Sequence, residues 1–358
     1  MWPDRRLLDL IDIEFPILLA PMAGVMDAEL AIAAAEGGAL ASLPCAMLSA
    51  DKAREQVGIF RQRVTAPINL NFFCHQPVDA DPAREAGWRR RLGAYYQELG
   101  LDPDAPNTAA NRAPFDEAMC VLVEELKPAV VSFHFGLPAP ALMQRVKAAG
   151  CIVMASATIV REAIWLEEHG VDAIIAQGAE AGGHRGMFLT DNIAQQPGLF
   201  ALLPQVVDAV RVPVIAAGGI ADGRGIAAAF ALGAAGVQIG TTFLRCPESK
   251  VIAPARVALA QACDDSTVIT NVMTGRPARG VANRVMREVG PLSADAPAFP
   301  HAATALGPLK VAAEKLGKVD FTNLWAGQAV RLGRDLPAAE LTRALAGSAL
   351  ARMSRLAG

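Results

Sequence analysis

The stretch VPVIAAGGIADGRGIAAAFALGAAGVQIGTTFLR, residues 212–245, decides the fold. An apolar run ends in Gly218-Gly219, an alanine-rich helical segment opens near Asp222, and a second apolar run ends in Gly240-Thr241-Thr242. Two strand-to-helix turns therefore lie side by side. Glycines after a strand permit a tight turn and a close backbone approach, and the following helix offers free N–H groups and the positive end of its dipole. Two adjacent turns of this kind suit one phosphate monoester. Taken singly, Gly218, Gly219, Gly223 and Gly225 also fit ordinary turn and helix-start positions. Gly223-x-Gly225-x-x-Ala228 matches the spacing of a dinucleotide fingerprint, but no acid ends the next strand to hold a ribose.

Working outward, short apolar runs recur with helical patterns between them. There are eight: Pro16 to Pro21, Ala39 to Leu43, Ile68 to Phe73, Ala129 to Phe135, Ile152 to Ala157, Ala173 to Gln177, Val212 to Ala217 and Gly236 to Thr241. Most are continuously apolar rather than alternating, as expected of strands covered on both faces, and segments such as Ala28 to Glu36 and Ile159 to His169 supply the cover. Eight β/α units predict an α/β TIM (β/α)8 barrel over residues 1–245. Two segments break the repeat. Residues 74–113, rich in Pro, Asp and Arg, predict a long insertion after strand 3 that crosses the barrel mouth. Residues 246–324 predict a helical cap after strand 8, with helices Ala253 to Cys263 and Leu306 to Leu316 and a loop, Thr274 to Pro300, that reaches the site. Residues 325–358 end in a helix, Ala338 to Arg355, predicted to pack back on the barrel.

Composition narrows the partners. The 358 residues are 53% hydrophobic but only 5% aromatic, so Ala, Val, Leu and Ile must fill the interior, as layered α/β packing allows. A net charge of −3 gives no basic footprint, so nucleic acid is not an expected partner, and the Arg-rich Trp88 to Arg91 reads as a solvated helix face. Six dispersed cysteines with no C-x-x-C pair read as reduced thiols of a cytoplasmic protein. No signal-peptide pattern and no uncharged apolar run of membrane-spanning length is present, so a soluble protein away from the membrane is expected; a monomer or homodimer is the expected assembly.

In such a barrel the chemistry lies where strands end. The sixth run enters Gln177-Gly178-Ala179-Glu180-Ala181-Gly182-Gly183-His184-Arg185-Gly186. A histidine set among glycines is not a packing residue of a regular element, so His184 is placed at the barrel mouth as a candidate base or anion-binding group. A surface histidine in a flexible loop is the alternative. His134, at an aromatic strand end, reads either as a satisfied structural histidine or as a cofactor contact. His75, His169 and His301 have weaker claims. Cys45 follows a strand without a cationic neighbour in sequence, which favours a buried or turn cysteine over a nucleophile. No metal motif is found. A phosphate site, a mouth histidine and no metal together point to an organic phosphorylated cofactor.

These motifs resemble those of the bacterial nitronate monooxygenases, formerly called 2-nitropropane dioxygenases, which are FMN-dependent TIM barrels. The resemblance spans nearly the whole chain. It rests on Ala20-Pro21-Met22, Asn69 to His75, Val131 to Gly136, Ala176 to Gly186, the paired glycine turns, Thr274-Gly275-Arg276-Pro277-Ala278-Arg279-Gly280 and Trp325-Ala326-Gly327-Gln328. It implies that Met22, Asn71 and Gln177 contact the isoalloxazine and ribityl parts of FMN, with Gly182 and Gly183 close by. Gly218, Gly219, Gln238, Gly240 and Thr241 would hold the ribityl chain and phosphate, and His184 would lie beside the flavin as substrate binder or base.

The reaction so implied is oxidation of an alkyl nitronate, propionate 3-nitronate among the candidates, by O₂ to a carbonyl compound and nitrite through a flavin semiquinone. A protonated His184 would offset the substrate's charge. The rival readings are an FMN-dependent NAD(P)H reductase of enoyl-carrier-protein or quinone type on the same scaffold, and a non-catalytic flavin- or phosphate-binding protein. One departure stands out. Relatives carry tyrosines and a lysine in the cap loop, whereas residues 295–306 here read DAPAFPHAATAL. A smaller, less polar substrate wall is therefore expected, with His301 as a partial replacement for the missing donors.

Overall fold

A computed structural model describes residues 1–105 and 112–357 of the chain. The eight apolar runs become eight strands: β1 (Ile17–Leu19), β2 (Ala41–Pro44), β3 (Ile68–Phe73), β4 (Val130–His134), β5 (Ile152–Ala157), β6 (Ala173–Gln177), β7 (Val214–Ala217) and β8 (Gly236–Ile239). Neighbours in sequence are neighbours in space, every pairing is parallel, and β8 returns to β1 with Leu18 opposite Gln238. The ring closes between β1 and β2. There Leu40 N–H donates to Ile17 O at 2.9 Å and Leu19 N–H donates to Leu40 O at 3.0 Å. The fold is the predicted TIM barrel.

Continuous apolarity along the strands has two destinations. Outward residues such as Leu43, Leu70, Val131, Val153, Ile174 and Val237 pack under the helices, while Leu18, Leu40, Val130, Met154, Ile175 and Ile215 point into the barrel. Leu7 and Ile11 of the helix Arg6–Ile11 join this inner group and plug the end away from the strand C-termini. Helices start where short polar side chains can cap them: Asp27 accepts from Glu29 N–H, Ser49 from Lys52 N–H and Asp222 from Arg224 N–H. The last helix, Ala338–Ala357, packs on Gly223–Ala231 and Ala28–Glu36. Glycine is required at that contact, because a Cβ on Gly223 would lie 2.6 Å from Ala349 N.

Above the strand C-termini, segment 74–105 and the chain after β8 share a second hydrophobic cluster. Trp88, Leu92, Tyr95 and Tyr96 pack there with Val272, Met286, Leu306, Leu309 and Phe321, and Trp88 Nε1–H donates to Ala302 O at 3.1 Å. Trp88 is thus not part of a solvated face, although Arg90 and Arg91 are exposed. The chain after β8 is also not purely helical. Thr267–Thr270 and Ala278–Val281 form an antiparallel pair, and the short strand Gly183–His184 adds to its edge. The helix expected from Leu306 to Leu316 runs from Ala302 to Lys315. Among the described residues no helix is long and apolar enough to cross a membrane.

Candidate active site

A cavity of about 460 Å³ opens at the C-terminal ends of the strands. Met22 after β1, Asn71 on β3, His134 on β4, Gln177 on β6, Gly182, Gly183 and His184, then Gly218, Gly219, Gln238, Gly240 and Thr241 around β7 and β8 line it, whereas Cys45, His75, His169 and His301 do not.

At the β7–β8 end, glycine turns line the cavity with backbone amides. Gly218 and Gly219 adopt φ of 115° and 68°, values that side chains beyond glycine rarely take, and a Cβ on Gly218 would meet Ala181 N at 3.0 Å. Among the described residues, the N–H groups of Gly218, Gly219 and Gly240 have no protein acceptor. Gln238 Oε1 is buried without a partner. Buried polar atoms are normally satisfied, so this oxygen calls for a donor from outside the chain. The helix Gly223–Ala231 contributes less than its sequence suggests, because Asp222 already takes Arg224 N–H at 2.8 Å. This end of the cavity therefore presents turn amides. Across it, Gly327 N–H donates to Thr241 Oγ1 at 2.9 Å, and Gly182 lies so close to the 326–327 backbone that a Cβ would stand 2.6 Å from Ala326 C.

At the other end sits His184, on the short strand opposite Ala278. Its position is fixed through its backbone: His184 O accepts from Gln177 Nε2 at 2.9 Å and from His134 Nε2 at 3.1 Å. Gln177 Oε1 in turn accepts from Gly186 N–H at 2.8 Å, so this side chain braces the loop with both ends of its amide. Because a carbonyl can only accept, His134 carries its proton on Nε2, and Nδ1 accepts from Ser156 Oγ at 3.0 Å. Both ring nitrogens are spent. His134 is thus satisfied within the protein while its ring still lines the cavity, and burial drives its pKa down to about 4. Asn71 donates to Ser132 Oγ at 2.9 Å, leaving its Oδ1 without a partner among the described residues. Arg185, fully buried, ties the loop down by donating to Gly178 O and Gln177 O, each at 2.8 Å.

The His184 ring has one polar contact, Nε2 to Thr274 Oγ1 at 3.0 Å, and Thr274 Oγ1 donates to Arg276 O at 3.3 Å. Both contacts are satisfied together only if Nε2 carries the proton, which leaves Nδ1 as the free acceptor. The ring is walled by Phe299, Trp325, Phe135 and Phe73 at centroid distances of 5.4, 5.6, 5.9 and 6.0 Å. Burial, then the charges of Arg112 and its neighbours His134, Arg276 and His75, push its pKa well below the usual imidazole value. In this structure burial and the nearby cations disfavour the protonated His184 that the nitronate reading invokes.

Several residues near the site were given no role, or a weaker claim, by the sequence reading. Arg276 lies 4.0 Å above the Phe135 ring and donates to Met187 O, while Phe135 itself is held at φ 72°. His75 is buried against Phe299 with its Nδ1 unpartnered. Arg112 lines the cavity. Cap and insertion fold these onto the mouth from far along the chain, so no local spacing announces them. Lys310 reaches the cavity from the helix after the loop, 3.9 Å from Glu314, so the wall is not free of lysine. His301 points elsewhere, contacting Val78 O at 2.9 Å and Glu85 at 3.4 Å, and replaces no donor in the site. Cys45 is buried with its thiol pushed up to about 12, which rules it out as a nucleophile.

Comparison with known proteins agrees with this geometry. The family model described as nitronate monooxygenase matches residues 4–347. A nitronate monooxygenase of Paraburkholderia phytofirmans is 43% identical, the alignment covering 95% of this chain and 94% of that protein. The crystal structure of nitroalkane oxidase from Streptomyces ansochromogenes superposes with a TM-score of 0.88 at 36% identity, over 98% of this chain and 99% of that one. FabK from Thermotoga maritima gives 0.73 at 27% identity, over 99% and 98%. The chain therefore belongs to the nitronate monooxygenase family of oxidoreductases.

Proposed function

We propose that this enzyme binds FMN and oxidises alkyl nitronates with O₂ to a carbonyl compound and nitrite. The observation that carries the reading is a single cavity with a phosphate cradle at one end and an aromatic chamber around His184 at the other. The residues fit the cofactor. Turn amides of Gly218, Gly219 and Gly240 suit a phosphate. The unpartnered Gln238 Oε1 suits a ribityl hydroxyl, and Asn71 and Met22, which line the same cavity, would contact the flavin ring. FMN bound there would supply the electron acceptor for the nitronate and hand the electrons to O₂.

The chain's own residues supply the rest. Phe73, Phe135, Phe299 and Trp325 exclude water from the chamber, which strengthens the electrostatic contacts inside it. Neutral His184, with Nε2 committed to Thr274, presents Nδ1 to the substrate and can take the α-proton of a neutral nitroalkane to generate its nitronate. The test is nitrite release from propionate 3-nitronate in air by FMN-loaded protein with no nicotinamide present. Absence of nitrite, with activity appearing only on addition of NADH or NADPH, would favour the reductase reading.

A further inference from the structure

The cavity wall holds a cation that forms no ion pair among the described residues. Arg112 lines the cavity beside His184, and its Nη1 is buried without a hydrogen-bond partner. Its guanidinium stands 5.7 Å from the centre of the Phe299 ring, and that ring is 5.4 Å from His184. No carboxylate pairs with it among the described residues, although surface arginines such as Arg54, Arg145 and Arg284 all do. Arg112 as a whole is half-buried, but a buried guanidinium N–H with no acceptor is costly unless something arrives to pair with it. The other titratable or charged groups around His184 are His75, His134 and Arg276. Each is neutral by burial or positive, and none can serve as a counter-ion.

We infer that Arg112 is the substrate's counter-ion: its guanidinium receives the planar oxyanion of a nitronate and holds product nitrite at the same place. A planar, forked donor matches a pair of oxygens on one nitrogen, as it matches carboxylate. The inference rests on the nitronate reading for the identity of the substrate. It divides the labour in the chamber, with charge supplied by Arg112 and proton transfer by His184. Phe299, from the cap loop lacking tyrosine, then serves as the platform on which the guanidinium rests.

The test is calorimetric titration of the FMN-loaded protein with sodium nitrite, which is anionic throughout the range used. Arginine does not titrate, so affinity should stay level within about twofold between roughly pH 5.5 and 8.5. Arg112→Met should weaken binding about ten- to a hundredfold, Arg112→Lys should recover part of the loss, and His184→Asn should leave the level profile in place. Nitrite affinity that falls about tenfold per pH unit in the wild type, and is abolished by His184→Asn, would overturn the proposal. So would the lack of saturable nitrite binding. The wild-type profile decides even if an Arg112 variant folds poorly. Failure of the nitronate reading looks different: nitrite still titrates against Arg112, yet no nitronate is turned over.

Discussion

Replacing Thr274 with Val probes how the site holds a base ready. Thr274 is fully buried, and Val keeps its shape while removing the hydroxyl that accepts from His184 Nε2 at 3.0 Å and donates to Arg276 O at 3.3 Å. The imidazole is then left with a buried, unpaired N–H, costing about 1–3 kcal/mol. It escapes that cost by moving the proton to Nδ1. The atom facing the cavity then changes from acceptor to donor, so proton abstraction is lost while the ring stays in place. Because a positioned general base contributes about 10²- to 10⁴-fold, kcat for a neutral nitroalkane should fall within that range. Turnover of the preformed nitronate, which needs no base, should change by less than about threefold. Thr274→Ser restores the hydroxyl and should restore nitroalkane turnover. The assay compares nitrite release from 1-nitropropane and from its nitronate. Equal losses on both substrates, or an undiminished nitroalkane rate in Thr274→Val, would refute the tautomer argument.

Other perturbations follow from the same geometry. Gly182→Ala places a methyl 2.6 Å from Ala326 C and Gly327 N, both backbone atoms that cannot swing away; the overpacking of about 1–3 kcal/mol should lower Tm by roughly 1–4 °C and reduce FMN retention. An unchanged Tm and full FMN content would show that the loop and the 325–328 turn are not in such contact. Stability should fall as the solution is acidified from pH 6.5 towards 4, because His75 and His134 have folded pKa values lowered to about 4 and the unfolded chain therefore binds more protons in that window. His134 alone contributes on the order of 3 kcal/mol, present in full above 6.5 and lost as pH drops through about 4; denaturant titrations at several pH values read it directly, and a level profile would contradict its burial. With the other five cysteines buried and Cys263 exposed, a thiol reagent should label the native protein once, at Cys263, and leave activity intact.

The barrel was legible because its strands are buried on both faces. That forces runs such as Ile152 to Ala157 to be apolar without alternation, and leaves glycine where β7 must turn into the cradle. His184 was legible for a related reason, since a histidine amid glycines has no packing duty. What stayed hidden depends on distant pieces meeting. Arg112 comes from the insertion, Arg276 and Phe299 from the chain after β8, and each looks locally like an ordinary surface or loop residue. The β-branched run Thr267-Val268-Ile269-Thr270 was an overlooked local signal, a strand whose partner carries His184 on its far side. His134 could not be resolved from sequence because its role depends on which atoms face its two nitrogens. The charge state of His184 was likewise beyond reach, being set by burial and by cations far away in the chain.

The central claim is that this cavity passes electrons from a nitronate, not from a nicotinamide, to a bound flavin. Anaerobic mixing of the FMN-loaded protein with propionate 3-nitronate and, in parallel, with NADH, followed in the visible flavin bands, tests it most directly. The account predicts that the nitronate changes the flavin spectrum and that NADH leaves it oxidised. Rapid, complete bleaching by NADH, with no response to the nitronate, would contradict it.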